Sequence, residues 1–188
     1  MFLKAINITF FLFFSLGALL LVKPLYFYSK GMLIDHLLIG YWNDYKCKGI
    51  IEDRWLSIKP IGKLNIDSIS LEHIILNGCG QQELSYGLGK VNESTLLHEK
   101  NSNIIIAGHR DSFFKKLQYI ANNDKVVLEH IEGKSIYKVE NILIVDQFES
   151  EYIVKNQQKK LQLITCFPFE FTGPAPKRFI VQCNLVDS

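Results

Sequence analysis

Leu161-Gln162-Leu163-Ile164-Thr165-Cys166-Phe167-Pro168-Phe169 and, after a segment containing Gly173, Pro174 and Pro176, Lys177-Arg178-Phe179-Ile180-Val181-Gln182-Cys183-Asn184-Leu185 decide how this chain reads. Two apolar runs rich in β-favouring residues flank a stretch of turn formers, which is the pattern of strand, loop and strand. The reading puts strands over Leu161–Thr165 and Phe179–Val186, with Cys166 just past the first and Lys177-Arg178 opening the second. If the two are antiparallel neighbours, Cα spacings of roughly 4.5 to 5.5 Å bring the Arg178 guanidinium within reach of an acyl group held beside Cys166. Cys183 shares strand parity with Phe179, Val181 and Leu185, so it reads as core packing.

Working outward, the texture from Trp55 onward is the same: short apolar runs broken by Gly, Asn, Asp and Pro. Further strands are expected at Ile61–Ile66, Ile74–Leu76, Ile104–Ala107, Val126–Ile131 and Ser135–Val145. Lys63-Leu64-Asn65-Ile66 alternates as a half-buried strand does, whereas Ile104-Ile105-Ile106 is apolar throughout and reads as a central strand. One short helix fits Phe113–Ala121, stopped by Asn122-Asn123-Asp124, where Asn tolerates left-handed backbone. Seven strands, few helices and no long helical crossovers favour a closed or nearly closed barrel, a mainly β fold.

At the other end of the chain, Ala5–Val22 runs for 18 residues without a charge, flanked by Lys4 and Lys23. A helix of that length reaches roughly 27 Å, close to the thickness of a bilayer's hydrocarbon core. A membrane anchor over residues 1–23 is therefore expected, with the rest of the chain exported. A cleaved signal peptide is the rival reading, although its small-x-small pattern, Ser15-Leu16-Gly17, lies inside the apolar run. Residues 24–54 read as an amphipathic membrane-proximal helix and linker, with Pro24 in the first turn and Met32, Leu33, His36, Leu37, Gly40 and Tyr41 on one face. Residues 55–188 form the remaining domain.

A net charge of +2 spread over 188 residues gives no continuous basic stripe, so nucleic acid is not an expected partner. The four cysteines, Cys47, Cys79, Cys166 and Cys183, match no zinc signature, and no metal or other cofactor is expected. Export permits disulfides, leaving a Cys47–Cys79 bridge open. Glu149 and Glu151, before the last strand pair, supply too few oxygens to specify calcium. His36, His73, His98 and His130 read as surface or helix residues.

Chemistry concentrates in three places. A thiol attacks as the thiolate, and a nearby imidazole and guanidinium favour that charge while supplying acid catalysis and carbonyl polarisation. Cys166, His109 in Ala107-Gly108-His109-Arg110-Asp111, and Arg178 are the candidates. Gly108 allows close backbone approach beside His109. Taken singly, Cys166 fits a small buried hydrophobe, His109 a loop histidine and Arg178 an edge-strand charge; the argument lies in their joint occurrence.

The order of these segments resembles the sortase family of cysteine transpeptidases, most closely the class D-like, single-pass sortases, including those of Gram-negative bacteria. Ile61-Gly62-Lys63-Leu64-Asn65-Ile66, Gly87-Leu88-Gly89, Asn103 through Asp111 with its Gly-His-Arg, the spacing of Phe114, Leu117, Ile120 and Asp124, Thr165-Cys166-Phe167-Pro168-Phe169, and Arg178 carry the likeness. Gln162 stands where the family usually has Thr, and Asn123 where it commonly has Gly. The resemblance implies an eight-stranded barrel in which Cys166 is the nucleophile, His109 the general acid and base, and Arg178 the oxyanion stabiliser. It also implies a secreted protein substrate with a C-terminal sorting signal of the Leu-Pro-x-Thr-Gly type and an amine acceptor from the envelope. The enzyme would sit in the cytoplasmic membrane, its catalytic domain facing the periplasm or cell exterior. Two other readings remain: an exported cysteine peptidase that hydrolyses the same intermediate, and a non-catalytic, membrane-anchored β-domain that binds a partner.

Overall fold

The computed structural model describes residues 2–48, 58–91, 96–97, 103–148 and 160–187; within the first helix the side chains of 2–10, 12, 27–32, 35 and 48 also lie outside the description. Helix α1 runs Phe2–Lys48. Eight strands follow: β1 (Pro60–Ile66), β2 (Leu71–Asn77), β3 (Leu88–Lys90), β4 (Ile104–Ala107), β5 (Lys125–His130), β6 (Gly133–Asp146), β7 (Lys160–Phe167) and β8 (Lys177–Asp187), with a one-turn helix α2 (Gln81–Leu84) between β2 and β3. The chain divides into two compact units, Met1–Leu37 and Leu38–Ser188.

The strands close into a barrel in the order β1-β2-β3-β4-β7-β8-β6-β5, with β5 pairing back onto β1. The pairs β2·β3 and β4·β7 are parallel and the other six antiparallel. Consequently β1, β4, β6 and β7 run one way and β2, β3, β5 and β8 the other. The C-terminal ends of β4 and β7 meet the N-terminal end of β8 at one mouth, and the ends of β2, β3 and β5 gather at the opposite one.

The alternation of side chains splits the apolar runs between two cores. Leu64, Ile66, Ile104, Ile106, Leu161, Leu163, Phe179, Val181 and Cys183 fill the interior. Ile105, Val145, Ile164 and Ile180 point the other way and form a second cluster on the outer face. This accounts for Ile104-Ile105-Ile106, which sits between β3 and β7 and is buried on both sides. Cys183 is fully buried, and burial pushes its thiol up to about 12.

Several expectations need correction. β3 was not expected, because its three residues Leu88-Gly89-Lys90 are too few to show alternation; pairing with β2 and β4 makes it a strand. The helix expected over Phe113–Ala121 is a shorter 3-10 turn, Lys115–Tyr119, and Asn123 does take positive φ, at 75°. No helix begins at Pro24, since α1 runs through it. The face through Leu33 and Leu37 is 59% and 38% exposed, whereas Leu38 and Trp42, one position on, are 0% and 1% exposed. Lys46 continues that stripe at the same four-residue spacing and pairs with Glu129 on β5, which explains the choice of face. His130 is buried rather than superficial, its Nε2 lying 3.1 Å from Ser135 Oγ. All four cysteines are free thiols. Among the described residues no helix is long and apolar enough to cross a membrane, and part of Ala5–Val22 lies outside the described side chains. Trp55, His98, Glu149 and Glu151 also lie outside the described residues.

Candidate active site

Cys166 is the penultimate residue of β7, and its Cα partner across the antiparallel pair is Arg178. Residues directly opposite in such a pair project to the same face. That face is the outer one, because Cys166 shares parity with Ile164, and Arg178 with Ile180, both in the outer cluster. Val145 on β6 is the next partner of Arg178, so an apolar floor of Ile105, Val145, Ile164 and Ile180 extends from the two polar residues along the outer face of the sheet.

His109 arrives from β4. The parallel register pairs Ile104 with Leu161 and Ala107 with Ile164, so a continuation by two residues sets His109 level with Cys166. Two hydrogen bonds keep the chain in that line beyond the strand: Gly108 N–H donates to Ile164 O at 3.2 Å, and Thr165 Oγ1 donates to Gly108 O at 2.7 Å. Gly108 itself is required by space. A Cβ there would lie 2.7 Å from both Leu88 Cδ2 and Phe114 Cδ2.

His109 is exposed, and Cys166 and Arg178 are half-buried at the same mouth of the barrel. Arg178 Nη1 donates to Ala175 O and Lys177 O, each at 3.0 Å, so the guanidinium is held by its own loop. Among the described residues Nε and Nη2 make no hydrogen bond, which leaves them as donors for another oxygen. Catalytic hydrogen bonds commonly tighten only when substrate is bound, so the decisive feature in the resting protein is the shared register. The aromatic rings of Phe167, Phe169 and Phe179 pack at centroid distances of 5.2 to 6.3 Å behind the cysteine. They fix the end of β7 from the interior side.

Sequence reasoning named the three polar residues but missed Thr165 and Arg110. Thr165 was legible only as the residue before the cysteine; its buried hydroxyl ties β7 to the histidine turn. Arg110 Nη2 donates to Phe171 O at 2.6 Å and Gly173 O at 2.9 Å. Asp111, next along the turn, is exposed. Among the described residues no cluster of His, Cys, Asp and Glu is arranged to hold a metal.

Residues 64–186 match the family described as Sortase domain. Sortase D of Bacillus subtilis (strain 168) is 31% identical over 121 residues, covering 64% of this chain and 61% of that protein. Sortase A of Bacillus anthracis is 27% identical over 130 residues, covering 67% of this chain and 60% of that one. The chain thus spans about three fifths of the length of these curated relatives. Among solved structures, a Clostridium perfringens sortase D5 transpeptidase superimposes with a TM-score of 0.68 at 18% identity, covering 81% of this chain and 98% of that one. Sortase A from Corynebacterium diphtheriae gives 0.65 at 21% identity, covering 71% and 64%. At those identities the structures speak for the barrel, and the family match speaks for descent. With the matched segment running from β1 to β8 and enclosing the cysteine, histidine and arginine positions, the chain belongs to the sortase family.

Proposed function

We propose that this protein is a membrane-anchored cysteine transpeptidase acting on exported proteins with a C-terminal sorting signal of the Leu-Pro-x-Thr-Gly type. The observation that carries the reading is the register that pairs Cys166 with Arg178 and leads β4 toward the same level at His109. The thiolate of Cys166 attacks the scissile carbonyl carbon, and the developing oxyanion is met by the free donors of Arg178. His109 protonates the departing amine as the C–N bond breaks, leaving a thioester on Cys166. An incoming amine then attacks that thioester, His109 takes its proton, a new amide forms, and the thiol returns. The apolar floor beside the cysteine suits the Leu-Pro side of such a peptide, with an extended backbone laid along the sheet.

The anchor belongs to the same proposal. Phe11, Phe13, Phe14, Leu16, Leu19, Leu20, Leu21, Val22, Leu25 and Tyr26 are all more than half exposed along α1. Ala5–Val22 carries no charge. So large an apolar surface calls for an occupant, and lipid fits a helical run of that length. The enzyme would then be single-pass in the cytoplasmic membrane, with its barrel facing the periplasm or cell exterior.

The test is incubation of the full chain with a Leu-Pro-x-Thr-Gly peptide and an amine nucleophile, followed by mass spectrometry. The expected result is a ligated product and a thioester adduct on Cys166. Cleavage without ligation makes the protein a hydrolase, and no Cys166-dependent reaction with any sorting-signal peptide ends the enzymatic reading.

A further inference from the structure

The reaction above leaves Arg110 without a role, although it follows His109 directly. Its Nη2 donates to the carbonyls of Phe171 and Gly173, at 2.6 and 2.9 Å. Its guanidinium carbon stands 5.8 Å from the centroid of the Phe171 ring. Farther along the same connection between β7 and β8, the carbonyls of Ala175 and Lys177 accept from Arg178 Nη1. Residues 171–177 therefore lie between two guanidinium groups, one set beside His109 and the other opposite Cys166.

Hydrogen bonds from a cation to carbonyl oxygens are stronger than neutral ones, and two from one nitrogen fix the direction of both carbonyls. Gly173 has φ of +96°, a backbone conformation that other L-residues adopt only at a cost, so the aim of its carbonyl depends on glycine. On the far side, the loop carbonyls decide which nitrogens of Arg178 are committed and which are left for an oxyanion.

We propose that Arg110 is a positioning residue that clamps the 171–177 connection and thereby sets the orientation of Arg178 relative to Cys166 and His109. The inference rests on the transpeptidase reading of the site, and it deepens that reading by making the histidine turn and the oxyanion donor one mechanical unit. Arg110 touches no reacting atom.

The experiment compares Arg110→Ala, Arg110→Lys and Gly173→Ala with wild type, using the full chain in detergent. Amide hydrogen exchange over Phe169–Lys177 reads the clamp without needing any substrate. Turnover of the Leu-Pro-x-Thr-Gly peptide with an amine reads its effect on catalysis. For Arg110→Ala, exchange should rise at least about tenfold in that connection. kcat should fall by about 10- to 100-fold with KM little changed, the size of effect expected when a catalytic group is held slightly out of place. Arg110→Lys should recover part of both, and Gly173→Ala should move both in the same direction by less, which keeps the test informative should Arg110→Ala fold poorly. Unchanged exchange in Arg110→Ala overturns the clamp. Faster exchange with kcat unchanged in an active enzyme overturns the positioning role. A wild-type protein without turnover refutes the transpeptidase reading instead, while exchange still decides the clamp.

Discussion

The two mouths of the barrel are built from the same kinds of strand end and are finished in opposite ways. At one, β4, β7 and β8 stop with Cys166, Arg178 and His109 half-buried or exposed, above an apolar floor. At the other, the strands end against the last turns of α1, where Leu38 and Trp42 are buried and Lys46 meets Glu129. Tyr45, Ile61, Asn77, Lys90, His130 and their neighbours line a partly open cavity of about 170 Å³ there. Polar groups at this second mouth are held in pairs: Lys46 and Lys134 flank Glu129, and His130 lies against Ser135. The contrast separates polar groups left open to solvent from polar groups paired off at a closed end.

Five substitutions sharpen or break that contrast. Cys166→Ala and His109→Ala at the open mouth should each lower transpeptidation by at least about 10⁴-fold, measured as kcat, with the melting temperature unchanged. At the closed mouth, Trp42→Ala should reverse the pattern, lowering stability by about 3–5 kcal/mol in denaturant titration while leaving kcat near wild type. An equal fall in kcat would mean that the two mouths are coupled. Arg178→Ala should lower kcat by about 10²- to 10³-fold, the effect of losing one oxyanion donor. Gly108→Ala places a methyl group 2.7 Å from Leu88 and Phe114 and should lower stability by about 1–3 kcal/mol, with activity falling alongside because the same backbone carries His109.

The smallest effect concerns acid. Burial alone would raise the pKa of Glu129, but the hydrogen bond and charge of Lys46, joined by Lys63 and Lys134, hold it below its ordinary 4.5. A carboxyl depressed on folding contributes stability above its unfolded value, and that contribution is lost as pH falls through the folded one. Stability should therefore decline below about pH 4.5, more shallowly in Lys46→Ala, which at neutral pH loses about 0–1 kcal/mol because Lys46 is partly solvated. A pH–melting curve of the two proteins checks this; identical slopes would remove the ion pair from the account.

Much of the barrel was legible because its long strands carry their own periodicity. Ile104–Ala107 has the expected bounds, and β1, β5, β6, β7 and β8 differ only at their ends. β3 was illegible for the same reason, since three residues contain no period; all three are buried where the strand pairs with β2 and β4. The face of α1 was misread because Leu33 and Leu37 are as apolar as Leu38 and Trp42. Only the neighbouring Glu129 and the strand ends distinguish the two stripes.

What the sequence determined by itself was the seven longer strands, the functional groups that Cys166, His109 and Arg178 carry, and the positive φ at Asn123, because periodicity, side-chain chemistry and local backbone preferences are carried by single residues or short runs. Tertiary structure alone decided that Arg178 lies opposite Cys166, that β4 continues toward the same level, and that Arg110 reaches the loop between them. Those relations join residues up to 63 positions apart. They exist only once barrel closure fixes the register of strands that have no local reason to meet.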